Sequence, residues 1–377
     1  MKFRQAISGF TSSIMGTLMV ALLICLLGLY INPEKIPAVG IASLLIAPLI
    51  LINIGSLIYC IIRKKKTGFG VGTVLFFAIP QLINIWGFNI YNSKSNSTSE
   101  NEIKVLTYNV RNFDLYNWSK NQASRTTIFE KLKEVDADII CFQEFYSTQE
   151  EDWNNIQKLK AELGYQHYYF TRELVKDEKR QWGIATFSKY PIVNHGELLK
   201  ESKSNDPSRT IHKAIFTDIV VQEDTLRVIN THLASVYFNN EDYSTIEHIS
   251  DPDGLTIEKS KPIIRKLMKG YQHRGTQVKN LKNFMKEEPQ PHPIILCGDF
   301  NDVPTSFAYN QLSKNLKDGF LQSGWGLGAT YNGLIPGLRI DFTLVDPSIN
   351  IKKTERINLK ISDHLPLLST LSIPKME

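Results

Sequence analysis

The sequence predicts an α/β domain at residues 103–377 carried behind a three-span membrane anchor at residues 1–91. Apolar runs dominate the first hundred residues. After residue 103, short β-rich runs alternate with amphipathic helical stretches. Those strand runs repeatedly stop at an Asn, Asp, Glu or His.

The apolar stretches 14–31, 37–62 and 69–91 each reach the roughly 20 residues a helix needs to cross about 30 Å of hydrocarbon. The third contains Pro80, Gln81, Asn84 and Asn89, whose polar side is expected to pack against neighbouring helices. A cleaved leader fits the first stretch poorly, because its apolar run is long and two more spans follow. Lys2 and Arg4 precede the first span and Arg63-Lys64-Lys65-Lys66 follows the second, so the positive-inside rule puts both in the cytoplasm. Span three then carries the chain across the inner membrane, placing the globular domain on the extracytoplasmic side (the periplasm in a two-membrane bacterium). If 69–91 does not cross, the domain is cytosolic. Residues 92–102, NSKSNSTSENE, read as a flexible polar linker.

The net charge of +5 divides unevenly: residues 1–100 hold eight Lys/Arg and two Asp/Glu, the rest 35 and 36. The excess belongs to the anchor, where it sets topology. The near-neutral domain lacks the surplus basic charge a nonspecific nuclease relies on. Four cysteines lie in apolar spans or strands and read as small buried hydrophobes, without a disulfide framework.

Taking the domain in order, IKVLTYNV (103–110) is a strand that ends near Asn109, and 122–135 is a helix. ADIICFQE (137–144) is a strand ending at Glu144, and GIATFSKYPI (183–192) runs into a Pro turn. Strands 214–221 and 225–231 pair around a QED turn, with His232 at the exit. PIILCGDFN (293–301) releases Asp299 and Asn301, RIDFTLV (339–345) holds Asp341, and SDHLPLLSTL (362–371) opens with Asp363-His364. A single Asp after a strand is usually a turn former. Six strand ends mixing acids, amides and two His exceed that explanation, because strand ends are where a sheet scaffold presents chemistry.

Carboxylates and amide oxygens without a Cys/His cluster favour a hard cation, Mg²⁺, Mn²⁺ or Ca²⁺, over zinc. A His beside an acid supplies proton transfer near neutral pH. Together these suit attack by water on a phosphoester. P-loop, GxSxG, HExxH and CxxC arrangements are absent from the sequence.

Read together, TYNVRNF, DIICFQE, SKYPI, INTHLAS, CGDFND, RIDFTLV and SDHLPL resemble, in order, the endonuclease/exonuclease/phosphatase superfamily. Its members include DNase I-like nucleases, inositol-phosphate phosphatases and bacterial sphingomyelinases. The resemblance covers roughly 103–373 and implies a four-layer αββα sandwich with two mixed sheets face to face. By matching positions it implies Glu144 as main metal ligand, with Asn109 and Asp363 nearby. His364, oriented by Asp341, would contact the scissile phosphate or move its proton. Asp299 would position or activate the attacking water, and Asn301 and His232 would donate to phosphoryl oxygens. Arg209, in PSRTIHKAIF, matches a phosphate-contacting basic position. Arg111 stands where the abasic-site repair branch has an acid, which argues against that branch.

Between His232 and Asp299 an insertion carries an acidic first half (Glu241, Asp242, Glu247, Asp251, Asp253) and a strongly basic stretch, 259–282. It reads as a solvated helix over the sheet or as a basic lip for phosphate-rich substrates. The function classes are a hydrolase of an extracytoplasmic phosphodiester (nucleic acid or phospholipid head group), a phosphomonoesterase on a sugar or inositol phosphate, and a membrane-tethered binding module without catalysis. Intact strand-end residues argue against the last. The expected partners are the phosphoester substrate and the lipid bilayer.

Overall fold

The fold, taken from a computed structural model, is described for residues 2–89, 101–175, 179–199, 213–236, 238–247, 256–286, 292–333, 335 and 337–373. The polar linker at 92–100, Arg209, and Asp251 and Asp253 of the insertion lie outside the described residues.

Three helices open the chain: α1 (Lys2–Gly28), α2 (Ala38–Ile62) and α3 (Thr67–Ile85). All three are long and apolar enough to cross a membrane. They share a core of Leu22, Leu26, Ile46, Ile50, Val74 and Ala78, while Leu51, Ile62, Phe69 and Phe76 stay exposed, as a lipid-facing surface requires. Helix α3 stops at Ile85, short of the expected 91, because Trp86 turns extended and β1 (Gly87–Phe88) pairs with Trp325–Gly326 of the globular domain. The polar residues of the third span also differ from expectation. Gln81 donates to Asn310, the Asn84 carbonyl accepts from Arg339, and Asn89 donates to the Leu321 carbonyl. The side chains of Gln81 and Asn89 and the backbone of Asn84 thus bond to the globular domain.

The domain's first half comprises β2 (Glu102–Asn109), α4 (Ser124–Val135), β3 (Ile139–Thr148), α5 (Asn155–Leu163), β4 (His167–Val175), β5 (Arg180–Ser188) and β6 (Ile192–Glu197). The second comprises β7 (Ala214–Val221), β8 (Asp224–His232), α6 (Asn240–Glu247), α7 (Ile257–Lys286), β9 (Ile294–Asp299), α8 (Phe307–Leu312), β10 (Lys317–Asp318), α9 (Gly319–Ser323), β11 (Trp325–Gly326), β12 (Asp341–Val345), β13 (Asn350–Arg356) and β14 (Leu367–Ser372).

Two six-stranded mixed sheets result, in the orders β13-β14-β2-β3-β5-β4 and β10-β12-β9-β8-β7-β6. Each has one parallel pair at its centre, β2–β3 and β8–β9. Alternation along the strands sorts side chains between layers. Val105, Ile139, Cys141, Val228, Ile295 and Cys297 fill the space between the sheets. Leu106, Tyr108 and Phe142 face outward against Ile128 and Leu132 of α4 and Leu159 of α5. On the opposite side, Ile229 and Leu296 pack against Val278 and Leu281 of α7 and Leu312 of α8. This is the four-layer αββα sandwich.

One end of the helical bundle docks on the domain. Thr305 donates to the Ser43 carbonyl at 3.0 Å, and Asn32 to the Gly275 carbonyl at 3.3 Å. Gly40 of α2 sits so close to Tyr271 of α7 that a Cβ there would overlap the aromatic ring. Arg63–Lys66, following Ile62, lie at the other end of α2.

Candidate active site

The parallel pairs bring the C-terminal ends of β2, β3, β8 and β9 to one edge of the sandwich. Asn109 is the last residue of β2, in register with Gln143. Strand β3 does not end at Glu144 as expected but continues to Thr148, because a bulge between Phe142 and Phe145 absorbs the irregularity. Glu144 occupies that bulge with φ 49°, a left-handed backbone costing about 1–2 kcal/mol for a non-glycine residue. The bulge aims its carboxylate out of the sheet and toward the pocket. In the second sheet, His232, Asp299 and Asp341 are in register across β8, β9 and β12. Gly298 has φ +137°, and a Cβ there would collide with the Thr231 backbone, so β8 and β9 approach as closely as they do only with glycine at that position.

These ends form one cluster of hydrogen bonds and close charged contacts. The Asn109 amide donates to Glu144 Oε1 and to Asp299 Oδ2, both at 3.1 Å, linking the two sheets. His364 Nδ1 lies 2.9 and 3.2 Å from the two Asp341 oxygens, and its Nε2 is 3.6 Å from Asp299 Oδ2. His232 Nε2 is 3.7 Å from the same oxygen, and His232 is only 2% exposed. The Asn301 N–H donates to Asp299 Oδ1 at 2.7 Å, while its side-chain amide spends one hydrogen on the Leu233 carbonyl. Asp363 faces Arg111 at 3.7 Å and lines a pocket with Glu144, Asp299, Asn301 and His364. Of the site residues expected from sequence, only Arg209 falls outside the described residues.

Electrostatics follow from crowding four carboxylates together. Burial, then the charge of Asp363, raises the Glu144 carboxyl above its ordinary range. Burial pushes Asp299 up to about 7, with Asp341 adding to the effect against the opposing pull of His364. Burial alone would lower the His364 imidazole, but Asp341 and Asp299 outweigh it and hold it well above its usual value. The pocket is therefore short of positive charge, and its Glu144 and Asp363 oxygens fit a hard divalent cation. Asp299, Asp341 and His364 also bring one donor atom each within 4.8 Å of one another. There, however, His364 Nδ1 is already engaged by Asp341, which suits a proton-transfer pair.

Several supporting residues escaped sequence reasoning. Ser362 donates to the Asn109 carbonyl and accepts from the His364 N–H, fixing both backbones. Gln143 donates to Asn230 at 2.7 Å and Thr107 at 3.1 Å in the dry space beneath Asn109. The available signal was a buried amide inside an apolar strand. Arg274 of α7 donates to the Asn301 carbonyl and pairs with Asp302 at 3.1 Å; the sequence marked it only as one charge of the basic stretch 259–282.

The sequence profile of the Endonuclease/Exonuclease/phosphatase family matches residues 106–364. The chain belongs to that family. At the family level its chemistry is hydrolysis of phosphoesters. Residues 10–85 match a family described as a domain of unknown function. Among curated proteins no relative matches. Among solved structures, the human Nocturnin catalytic domain with bound sulfate is 19% identical, with TM-score 0.51, over 74% of this chain and 95% of that one. The endonuclease/exonuclease/phosphatase from Bacteroides vulgatus is 18% identical, with TM-score 0.50, over 73% and 100%. The corresponding protein from Beutenbergia cavernae is 15% identical, with TM-score 0.51, over 73% and 72%. At these identities the likeness establishes the fold.

Proposed function

We propose that this protein is a metal-dependent hydrolase of a phosphodiester on the extracytoplasmic side of the inner membrane. The observation that carries the proposal is the convergence of Asn109, Glu144, Asp299, Asp341, Asp363 and His364 on one pocket edge. Glu144, with Asp363 and Asn109, would hold the cation. Once bound, Mg²⁺ (or Mn²⁺ or Ca²⁺) supplies positive charge to a phosphoryl oxygen. Asp299, held by the Asn109 amide and the Asn301 N–H, orients water and accepts its proton as oxygen attacks phosphorus, while the P–O bond to the leaving alcohol breaks and the departing alkoxide takes a proton from solvent. His364, braced by Asp341, donates from Nε2 to the developing negative charge. Asn301 keeps one amide hydrogen for the same task. His232, expected as a second phosphoryl donor, is 2% exposed and outside the pocket lining, and its Nε2 lies 3.7 Å from Asp299, so its proposed role is to position Asp299. Arg209 remains a proposed phosphate contact.

The docking contacts agree with that placement. Every docking contact described above uses the end of the bundle remote from Arg63–Lys66, and the positive-inside rule assigns that basic end to the cytoplasm.

The test uses the full chain in neutral detergent with bis(p-nitrophenyl) phosphate and p-nitrophenyl phosphate, in Mg²⁺, Mn²⁺, Ca²⁺ or EDTA. Diester turnover that requires metal and collapses in Glu144→Ala and His364→Ala is expected. Turnover unaffected by EDTA or by both substitutions would overturn the assignment.

A further inference from the structure

Two pockets meet at the cluster, and they differ in chemistry. One, of about 260 Å³, is mixed: Glu144, Asp363 and His364 and the Arg274–Asp302 ion pair line it together with the apolar Leu44, Phe238, Leu267 and Ile335. The other, of about 520 Å³, is polar, with Arg111, Ser119, Asn332 and Lys360 among its lining. Asp363, Tyr243 and Tyr331 belong to both. A phosphorus atom at their junction, beside His364, would have one substituent in apolar surroundings and the other in polar ones.

Leu44 comes from the membrane anchor. It lies within the α2 span Ala38–Ile62, about 9 Å along the helix from Ala38 at 1.5 Å per residue. Its neighbour Ser43 is pinned by Thr305, three residues beyond Asp302 of the loop that follows Asp299. One helical turn before Leu44, Gly40 packs against Tyr271, and Arg274 stacks on Tyr271 with 4.1 Å to the ring centroid. The wall is therefore a fixed junction between the span and the loop after Asp299. Ile335 of the pocket lining is exposed, and where the chain leaves α3 exposed Phe88 pairs with exposed Trp325, with exposed Leu327 two residues further on. An aromatic and aliphatic fringe at the mouth of a spanning bundle matches the membrane–water interface.

We infer that helix α2 is part of the substrate site, and that the substrate is a lipid phosphodiester drawn from the bilayer, its hydrocarbon part against Leu44 and its polar alcohol toward Arg111 and Lys360. A nucleic acid carries a hydroxylated sugar on each side of phosphorus and has no hydrocarbon chain to lay against Leu44 and Leu267. The inference rests on the hydrolase reading above, and the experiment separates the two.

The full chain in neutral detergent is assayed with ethyl, butyl and octyl p-nitrophenyl phosphate. Each fully buried methylene is worth about fourfold, so even partial burial raises kcat/KM about tenfold or more from ethyl to octyl. Leu44→Gln, and separately Ile335→Asn, should flatten that rise. The pair matters because a polar residue in α2 can also disturb insertion, whereas Ile335 lies outside the spans. A flat series with the ethyl ester still hydrolysed overturns the lipid reading and leaves the hydrolase standing. A thymidine dinucleotide hydrolysed with a higher kcat/KM than the octyl ester overturns it in favour of nucleic acid. No turnover of any ester with Mg²⁺, Mn²⁺ or Ca²⁺ overturns both readings.

Discussion

Asp318→Ala should unfold the domain more readily than any nearby surface change, for a reason visible in its partners. The carboxylate is almost fully buried and accepts from Arg339 Nη1 at 2.7 Å, from the Tyr309 hydroxyl at 2.7 Å and from the Leu321 N–H at 3.1 Å, where it caps α9. Arg339 is enclosed by the rings of Tyr309, Phe320 and Phe342, so no water replaces the lost anion. Stranding one member of a buried ion pair costs about 3–5 kcal/mol, and losing a helix cap adds about 1 kcal/mol. Groups in contact do not add fully, so about 4 kcal/mol is expected. At about 2–4 °C per kcal/mol for a domain of this size, the apparent Tm should fall by about 8–16 °C. The assay is thermal unfolding of the full chain in detergent, followed by near-ultraviolet circular dichroism. Asp318→Leu with Arg339→Met leaves no charge unpaired and should recover at least half of the loss. A single-variant shift below about 3 °C, or a double variant less stable than Asp318→Ala, would refute the reasoning.

Other expected outcomes concern the site, its docking and a second buried pair. Asp341→Asn removes a charge-assisted hydrogen bond to His364 worth about 1.5–3 kcal/mol, so kcat/KM on a diester should fall about 10- to 100-fold, and unchanged kinetics would count against the pairing. Gly40→Val drives a side chain into Tyr271. Overpacking of about 1–3 kcal/mol should lower turnover about tenfold without moving the protein out of the membrane fraction. Asp218 is held below the ordinary carboxylate range: burial opposes this, but bonds from Arg227 at 2.8 Å and Asn194 at 2.9 Å prevail. A depressed folded value stabilises above the unfolded value and is lost as pH falls through the folded one. Asp218→Asn should therefore cost about 3–5 kcal/mol at pH 7, with the gap from wild type narrowing below about pH 4 in denaturant titrations.

Much of the candidate site was legible because Asn109, His232 and Asp299 close their strands while Asp341 opens β12 and Asp363-His364 stand just before β14, and the parallel pairs β2–β3 and β8–β9 bring these positions to one edge. Glu144 was found as a residue but not as a bulge, since hydrophobic alternation continues on both sides of it and only the left-handed backbone marks the break. The docking of the anchor was less legible. Gln81, Asn84 and Asn89 were visible as polar interruptions in a span, yet a polar residue in a span names no partner, and theirs lie more than 220 residues away in sequence. Tyr271 and Arg274 sat in the stretch 259–282, which the sequence left open between a solvated helix over the sheet and a basic lip. Their role comes from a glycine in α2 that admits the ring, a long-range complementarity that no local pattern contains. The pairing of Lys266 with Asp242 likewise neutralises one charge of the expected basic lip.

The most direct measurement of the central claim is hydrolysis of bis(p-nitrophenyl) phosphate by the full chain in ¹⁸O-water with Mg²⁺, read by mass spectrometry of the products. The account predicts one ¹⁸O in p-nitrophenyl phosphate, none in p-nitrophenol, and loss of the labelled product in Glu144→Ala and His364→Ala. Label in p-nitrophenol, or labelled phosphate formed at the wild-type rate by both variants, would contradict it.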